Sequence, residues 1–244
     1  MASKLNKINK IRQGIFKDLQ LAANSVREID SYSSIYNKLR QAATQVKNSE
    51  NNDSWEYEIS DMELPIKQER HIKPNGQIDN LHLYVDVKIK ALFEKWDECN
   101  DGDPFADMNF RVKIVGDSNN PNNYFEFGLH IDRTNEADST EEVHPLYHIH
   151  YFNNSKVGDP PVEALSMDAP RLVHHPLEVI VGILFTLANF NKDLFIKLKE
   201  NSYYRQLAKK YSEKFQKPYF EYLNNHLQEE REKSDMFELC PYII

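Results

Sequence analysis

Two histidines one residue apart, His148 and His150, are the pair whose type and spacing point most directly to chemistry. Side chains at alternate positions of a strand share a face. In an extended segment over 146–152 the two imidazoles therefore stand ~7 Å apart, close enough to converge on one ion or one phosphoryl group. Phe152 prolongs that face, while Tyr147, Ile149 and Tyr151 occupy the other. His144, just ahead of Pro145, adds a third imidazole if the bend turns it inward. His144, His148 and His150 are thus a candidate metal set, with further ligands to be sought among His130, Asp132, His174 and His175, because catalytic zinc takes three protein ligands and an open position. A divalent metal is the one cofactor these residues suggest; otherwise none is expected. Without a metal, His148 and His150 are candidate acid–base groups.

A second group follows in the run DAPRLVHHP at 168–176. Proline suits the first turn of a helix, so Pro176 predicts a helix that opens there with His175 as its N-cap. The free N–H groups at a helix start favour an anion, and Arg171 adds a guanidinium that can hold a carboxylate or phosphate. Arg171, His174 and His175 are therefore candidate anion-binding residues. The simpler alternative pairs Arg171 internally with Asp168 or Glu178.

Several other chemistries find no support in the sequence. It has no HExxH, GxSxG, GxGxxG or GxxxxGK[ST] motif, and only seven glycines in 244 residues. The two cysteines, Cys99 and Cys240, are far apart and outside any CxxC pairing, so a thiolate zinc site is excluded and a reduced, cytoplasmic chain is expected. A net charge of −8 disfavours broad binding to nucleic acid or anionic membranes. The first residues lack the apolar core of a secretory signal, and the one strongly apolar run, 177–190, is too short to span a bilayer.

The elements that position these residues follow from periodicity. Leu5, Ile8, Ile11, Ile15, Leu19, Ala22 and Val26 form one helical stripe, and Ile35, Leu39, Ala42, Ala43 and Val46 form another. Together they predict an N-terminal helical hairpin over 1–48, either packed on the body or serving as an arm that pairs with a second chain. A polar break at 48–54 leads to a body over 54–244. There, period-two alternation marks strands around Trp55–Tyr57–Ile59, at 81–89, at Phe110–Val112–Ile114, at Phe125–Phe127–Leu129–Ile131 and at 146–152. Helices are expected over 175–230, with Asn191 or Ser202 as caps and Pro218 opening a further one. The apolar run 236–244 is expected to dock into its own fold. The fold class is α+β: the hairpin, a central antiparallel sheet of four to five strands over 54–152, and a C-terminal helical region packed on that sheet.

With an amphipathic hairpin, an aromatic C-terminal region and no complete catalytic signature, the sequence predicts a non-enzymatic interaction or accessory subunit of a cytoplasmic, prokaryotic protein assembly. A protein partner or second copy would engage the N-terminal helices or the C-terminal region. The alternative is a phosphodiester or nucleotide hydrolase that uses His148 and His150, with Arg171 holding the anion.

Overall fold

The computed structural model describes residues 2–29, 33–66, 80–96, 103–118, 120–133, 146–157, 162–163, 172–221 and 224. His144, Asp168, Arg171, both cysteines and the run 236–244 lie outside them.

Helix α1 (Ala2–Ile29) and helix α2 (Ser33–Asn48) form the expected hairpin. Ala22, Ala23, Ala42 and Ala43 are fully enclosed, and their small side chains let the helices approach closely. The stripe from Ile8 to Val26 is buried, whereas Leu5 stays exposed. The hairpin packs on the chain's own body, so its apolar seam is already used internally.

The sheet follows as β1 (Ser54–Leu64), β2 (Leu81–Leu92), the short helix α3 (Phe93–Trp96), β3 (Phe105–Gly116), β4 (Phe125–Arg133) and β5 (Tyr147–Asn153). A small two-stranded ribbon is formed by β6 (Lys156–Val157) and β7 (Val162–Glu163), and β8 (Leu172–Val173) completes the main sheet. The strand order is β1-β2-β3-β4-β5-β8, antiparallel throughout. Five of these strands match the periodicity reading. The sixth, β8, is only two residues long and falls in the run 168–176, where no strand was expected.

Alternation then sorts the side chains. Leu83, Val85, Val87 and Ile89 of β2, with Met108, Phe110 and Val112 of β3, are buried towards the helices. The opposite face carries cross-strand ion pairs: Lys88–Asp107 at 2.6 Å, Lys113 to Asp61 and Asp86 at 2.9 Å each, and Arg111–Glu126 at 3.0 Å. Among the described residues the result is a two-layer arrangement, with one apolar sheet face under helices and one polar face, called the open face below, that no described helix covers.

The edge strand β1 is blocked by side chains of α2. Gln45 donates to the Glu58 carbonyl at 2.9 Å and accepts from the Glu58 N–H at 2.7 Å, bonding both backbone groups as a neighbouring strand would. Ser34 Oγ accepts from the Glu63 N–H, and Lys38 donates to the Ser60 carbonyl. A bulge between Ile59 and Met62 places Asp61 at φ 51°, and Asp86 accepts its N–H. Side-chain capping and a bulge both blunt an edge that would otherwise recruit another strand.

The C-terminal helices are α4 (Val179–Phe190), α5 (Lys192–Glu200) and α6 (Ser202–Tyr211). Gly182 of α4 meets the Phe110 ring so closely that a Cβ there would lie 2.2 Å from it, so glycine sets the helix-to-sheet distance. Helix α4 starts at Val179 rather than at Pro176, and its N-cap is Glu178, not His175. A carboxyl oxygen of Glu178 accepts the Ile180 N–H at 2.8 Å. Asn191 caps α5 as expected, and Asn201 takes the role considered for Ser202. Pro218 lies in the first turn of a helical stretch over 217–221, which runs on from α6 rather than starting afresh. A π turn, Ser212–Gln216, precedes it, and the Lys217 N–H reaches back to the Ser212 carbonyl. This wider turn carries the helix up to a residue that has no N–H of its own to donate.

Candidate functional site

Register decides what the His148 and His150 face meets. In the β4–β5 ladder His130 lies opposite His150, and Asp132 lies opposite His148. In β3–β4, Arg111 lies opposite His130. Five chemistry-bearing side chains from three strands thus share one patch of the open sheet face. The pairing of His148 and His150 on one face is as the two-residue period predicts. His130 and Asp132, two of the four further groups considered, are the ones the register delivers.

The contacts within the patch are direct. His150 Nε2 is 2.7 Å from His130 Nδ1. His130 Nε2 is 3.3 Å from Asp132 Oδ2, and His148 Nε2 is 2.9 Å from Asp132 Oδ1. The His148 contact is an ion pair by distance but not an aligned hydrogen bond, since Oδ1 is a buried acceptor without a hydrogen-bond partner. His148 is buried, while His130, His150 and Asp132 are half-buried.

Burial pushes the His130 imidazole down to about 4, with the neighbouring His150, His148 and Arg111 acting in the same direction; Asp132 opposes them. Asp132 itself is raised by burial, but the contact with His148 and the surrounding histidines outweigh this and leave it below the usual carboxylate range. His130 is therefore neutral near pH 7 and carries one ring proton. Asp132, ionised, can only accept, so that proton belongs on the Nε2 that faces it. Nδ1 of His130 is then an acceptor, and the 2.7 Å contact makes His150 Nε2 the donor. The neutral form of His150 consequently holds its lone pair on Nδ1. Asp132, His130 and His150 thus form a row of one carboxylate and two imidazoles in contact across β4 and β5.

Supporting groups fix this chain in place. A Cβ at Gly128 would lie 2.1 Å from the Val112 backbone carbonyl and 2.5 Å from the Phe152 ring, so only glycine fits between them. The Arg111 guanidinium sits 4.3 Å above the same ring and pairs with Glu126, which also accepts from Tyr124 and Asn154. On the other side of β5, the Tyr147 hydroxyl donates to Asp103, which also pairs with Arg133 at 2.6 Å, and the Tyr147 ring packs edge-on against Tyr219. The strand that carries the histidines is thereby held from its helix-facing side.

The second predicted group lies elsewhere. Val173 stands opposite His148 and Leu172 opposite Ile149, so the chain that follows Arg171 joins the sheet beside the histidines. His174 then turns to the helical layer, where its ring lies 5.9 Å from that of Phe185, and His175 packs against Phe220 with Gln216 at 3.3 Å. Burial pushes His174 down to about 4, helped by its neighbour His175; burial also lowers His175. His174 and His175 are thus separated by the sheet from His148 and His150. The helix start expected to hold an external anion is filled by the chain's own Glu178.

The His130–His150 contact also bears on metal binding. At 2.7 Å the two nitrogens are closer than the about 3.3 Å edge of a tetrahedron with zinc–nitrogen bonds of 2.0–2.1 Å. Among the described residues no group of three His, Cys, Asp or Glu side chains is arranged to hold a metal ion. No helix among them is long and apolar enough to cross a membrane. No family model, curated protein or solved structure matches the chain.

Proposed function

We propose that the open sheet face is an acid–base site and that the protein hydrolyses a phosphodiester or nucleotide. The observation that carries this reading is the 2.7 Å His130–His150 contact with Asp132 behind it. In this reading the His150 imidazole takes the proton of an attacking water as the new oxygen–phosphorus bond forms and the bond from phosphorus to the leaving oxygen breaks, the leaving group departing as an oxyanion that solvent protonates. His130 and Asp132 hold the resulting imidazolium, and Arg111, directly opposite His130, stabilises charge on the phosphoryl oxygens. His148 keeps Asp132 ionised and in place. A general base of this kind contributes about 10²–10⁴-fold. The expected result is that His150→Ala lowers hydrolysis of bis-p-nitrophenyl phosphate or nucleotides by roughly that factor while the fold persists. Hydrolysis by the purified chain that survives the double change His148→Ala/His150→Ala would refute the site.

The second reading, an interaction or accessory subunit of a prokaryotic assembly in the cytoplasm, draws on a different observation. Beyond the helices, Phe127 and Tyr151 stack at 6.2 Å on the apolar sheet face, each nearly half exposed, with Leu172 exposed on the same face. Co-purification from the host distinguishes the two. An accessory subunit keeps its partner when His148 and His150 are both alanine and loses it when Phe127 and Tyr151 are.

A further inference from the structure

Register arranges the open face in rows that cross the strands. Arg111, His130 and His150 form one row over β3, β4 and β5. The neighbouring row, about 7 Å away along the strands, begins with Tyr84 on β2 and ends with Phe152 on β5. Both rings are half-buried, and between them stand Lys113 and the bare backbone of Gly128. From β2 to β5 the face measures about 14 Å at about 4.8 Å per strand. The acid–base groups thus lie beside an aromatic row on a broad sheet surface. Lys88, Lys113 and Arg111 of that surface each have a carboxylate partner.

Magnitudes limit which phosphodiester such groups can cleave. A general base contributes about 10²–10⁴-fold, and one donor to a developing oxyanion about 10²–10³-fold. Their product, about 10⁴–10⁷-fold, is at the low end of enzymatic accelerations, which reach about 10¹⁷-fold and more for slow phosphate-ester reactions. A nucleophile built into the substrate closes much of that gap, because a well-oriented internal group reaches effective molarities of about 10⁵–10⁸ M. The ribose 2′-hydroxyl, adjacent to the 3′-phosphate, is such a group, and it is also the atom by which a site tells RNA from DNA. Its attack needs one proton removed, the task of one neutral imidazole.

We infer that the substrate of the open face is single-stranded RNA, cleaved by its own 2′-hydroxyl. The inference rests on the acid–base reading and puts the 2′-oxygen in the place of the attacking water. The His150 imidazole takes the 2′-hydroxyl proton as the 2′-oxygen bonds to the adjacent phosphorus. The bond from phosphorus to the 5′-oxygen of the next nucleotide breaks, which leaves a 2′,3′-cyclic phosphate and a 5′-oxyanion that solvent protonates. Bases next to the scissile phosphate stack on Tyr84 and Phe152, since aromatic side chains accept any unpaired base. With the nearby cations paired and the net charge at −8, this binding does not depend on counterion release, and cleavage varies little with salt.

The test gives the full chain a hexaribonucleotide that contains all four bases, its 2′-O-methyl counterpart and bis-p-nitrophenyl phosphate, with products read by mass spectrometry. The hexaribonucleotide should yield fragments that end in a 2′,3′-cyclic phosphate. Its 2′-O-methyl counterpart should react slower by roughly 10³-fold or more. His150→Ala, and the closer replacement His150→Gln, should each lower RNA cleavage by about 10²–10⁴-fold. Between about 50 and 200 mM salt the rate should change by less than about threefold. Suppose bis-p-nitrophenyl phosphate is hydrolysed in a His150-dependent way while the two oligomers are cleaved equally, or neither is. The inference then fails and the acid–base reading stands. If no ester is cleaved, both fail. A 5′-phosphate product, or RNA cleavage that persists in both His150 variants, would also overturn the inference. A steep fall with salt would contradict binding by stacking.

Discussion

Asp132 is the residue on which the open-face site depends. One carboxylate, from the middle of three neighbouring strands, faces His148 through one oxygen and His130 through the other. Replacing it with asparagine keeps the shape and removes the charge that selects the His130 tautomer, since an amide can present either a donor or an acceptor. Asp132→Asn is therefore expected to reduce hydrolysis at least tenfold. It should also flatten the rising acid limb of the pH–rate profile, with Asp132→Glu recovering part of both. A variant that loses rate with an unchanged pH profile would point to a structural role for the carboxylate instead. At the same scale, Gly128 is required because the Val112 carbonyl and the Phe152 ring occupy the space a Cβ would take. Gly128→Val should destabilise the fold by about 1–3 kcal/mol through overpacking, measured by urea denaturation.

At the scale of elements, the sheet's design rests on which face each strand turns inward and on how its edge is closed. Gln45 of α2 holds both backbone groups of Glu58 on the edge strand. Gln45→Ala is expected to open a short row of unpaired N–H and C=O groups and promote concentration-dependent self-association by sedimentation, with little change in secondary structure. A variant that self-associates no more than the parent would show that the bulge at Asp61 suffices alone. Period two in the sequence placed the strands and put His148 and His150 on one face, because alternation is a local property. It left His130 and Asp132 only as members of a longer set of possible ligands. Cross-strand register depends on loops and long-range packing that no local pattern encodes. The same limit explains the helix start. Pro176 is a good first-turn residue, but the carboxylate able to cap an N–H two residues on is Glu178, and only burial among α1, β1 and α6 reveals it as the cap. Strand β8 escaped notice because two residues carry no periodicity.

For the whole molecule, Glu178 sets the pH response. It is fully buried at the junction of sheet and helices, its Oε1 2.9 Å from the Tyr57 hydroxyl, and burial raises it to about 8. In the unfolded chain it titrates near its ordinary value, so between about pH 4.5 and 8 the folded state binds the extra proton. Stability from this group is full below the lower value and is lost as pH rises through the upper one. His130 and His174 act in the opposite sense. Both are lowered to about 4, so stability falls as pH drops from about 6.5 towards 4. Thermal unfolding should therefore show a maximum at mildly acidic pH and a decline of a few kcal/mol up to pH 8. Glu178→Gln should abolish the alkaline decline and leave the acidic one; persistence of the alkaline decline in that variant would assign it to another group.

The central claim is that Asp132, His130 and His150 form a chain of fixed tautomers on the open sheet face. Imidazole nitrogen NMR of the folded protein across about pH 4 to 8 reads this directly. The structure predicts that His130 is protonated on Nε2 alone, with Nδ1 an acceptor, and takes its second proton only near pH 4. A His130 that carries its proton on Nδ1, or that titrates near the ordinary histidine value of about 6.5, would contradict the arrangement.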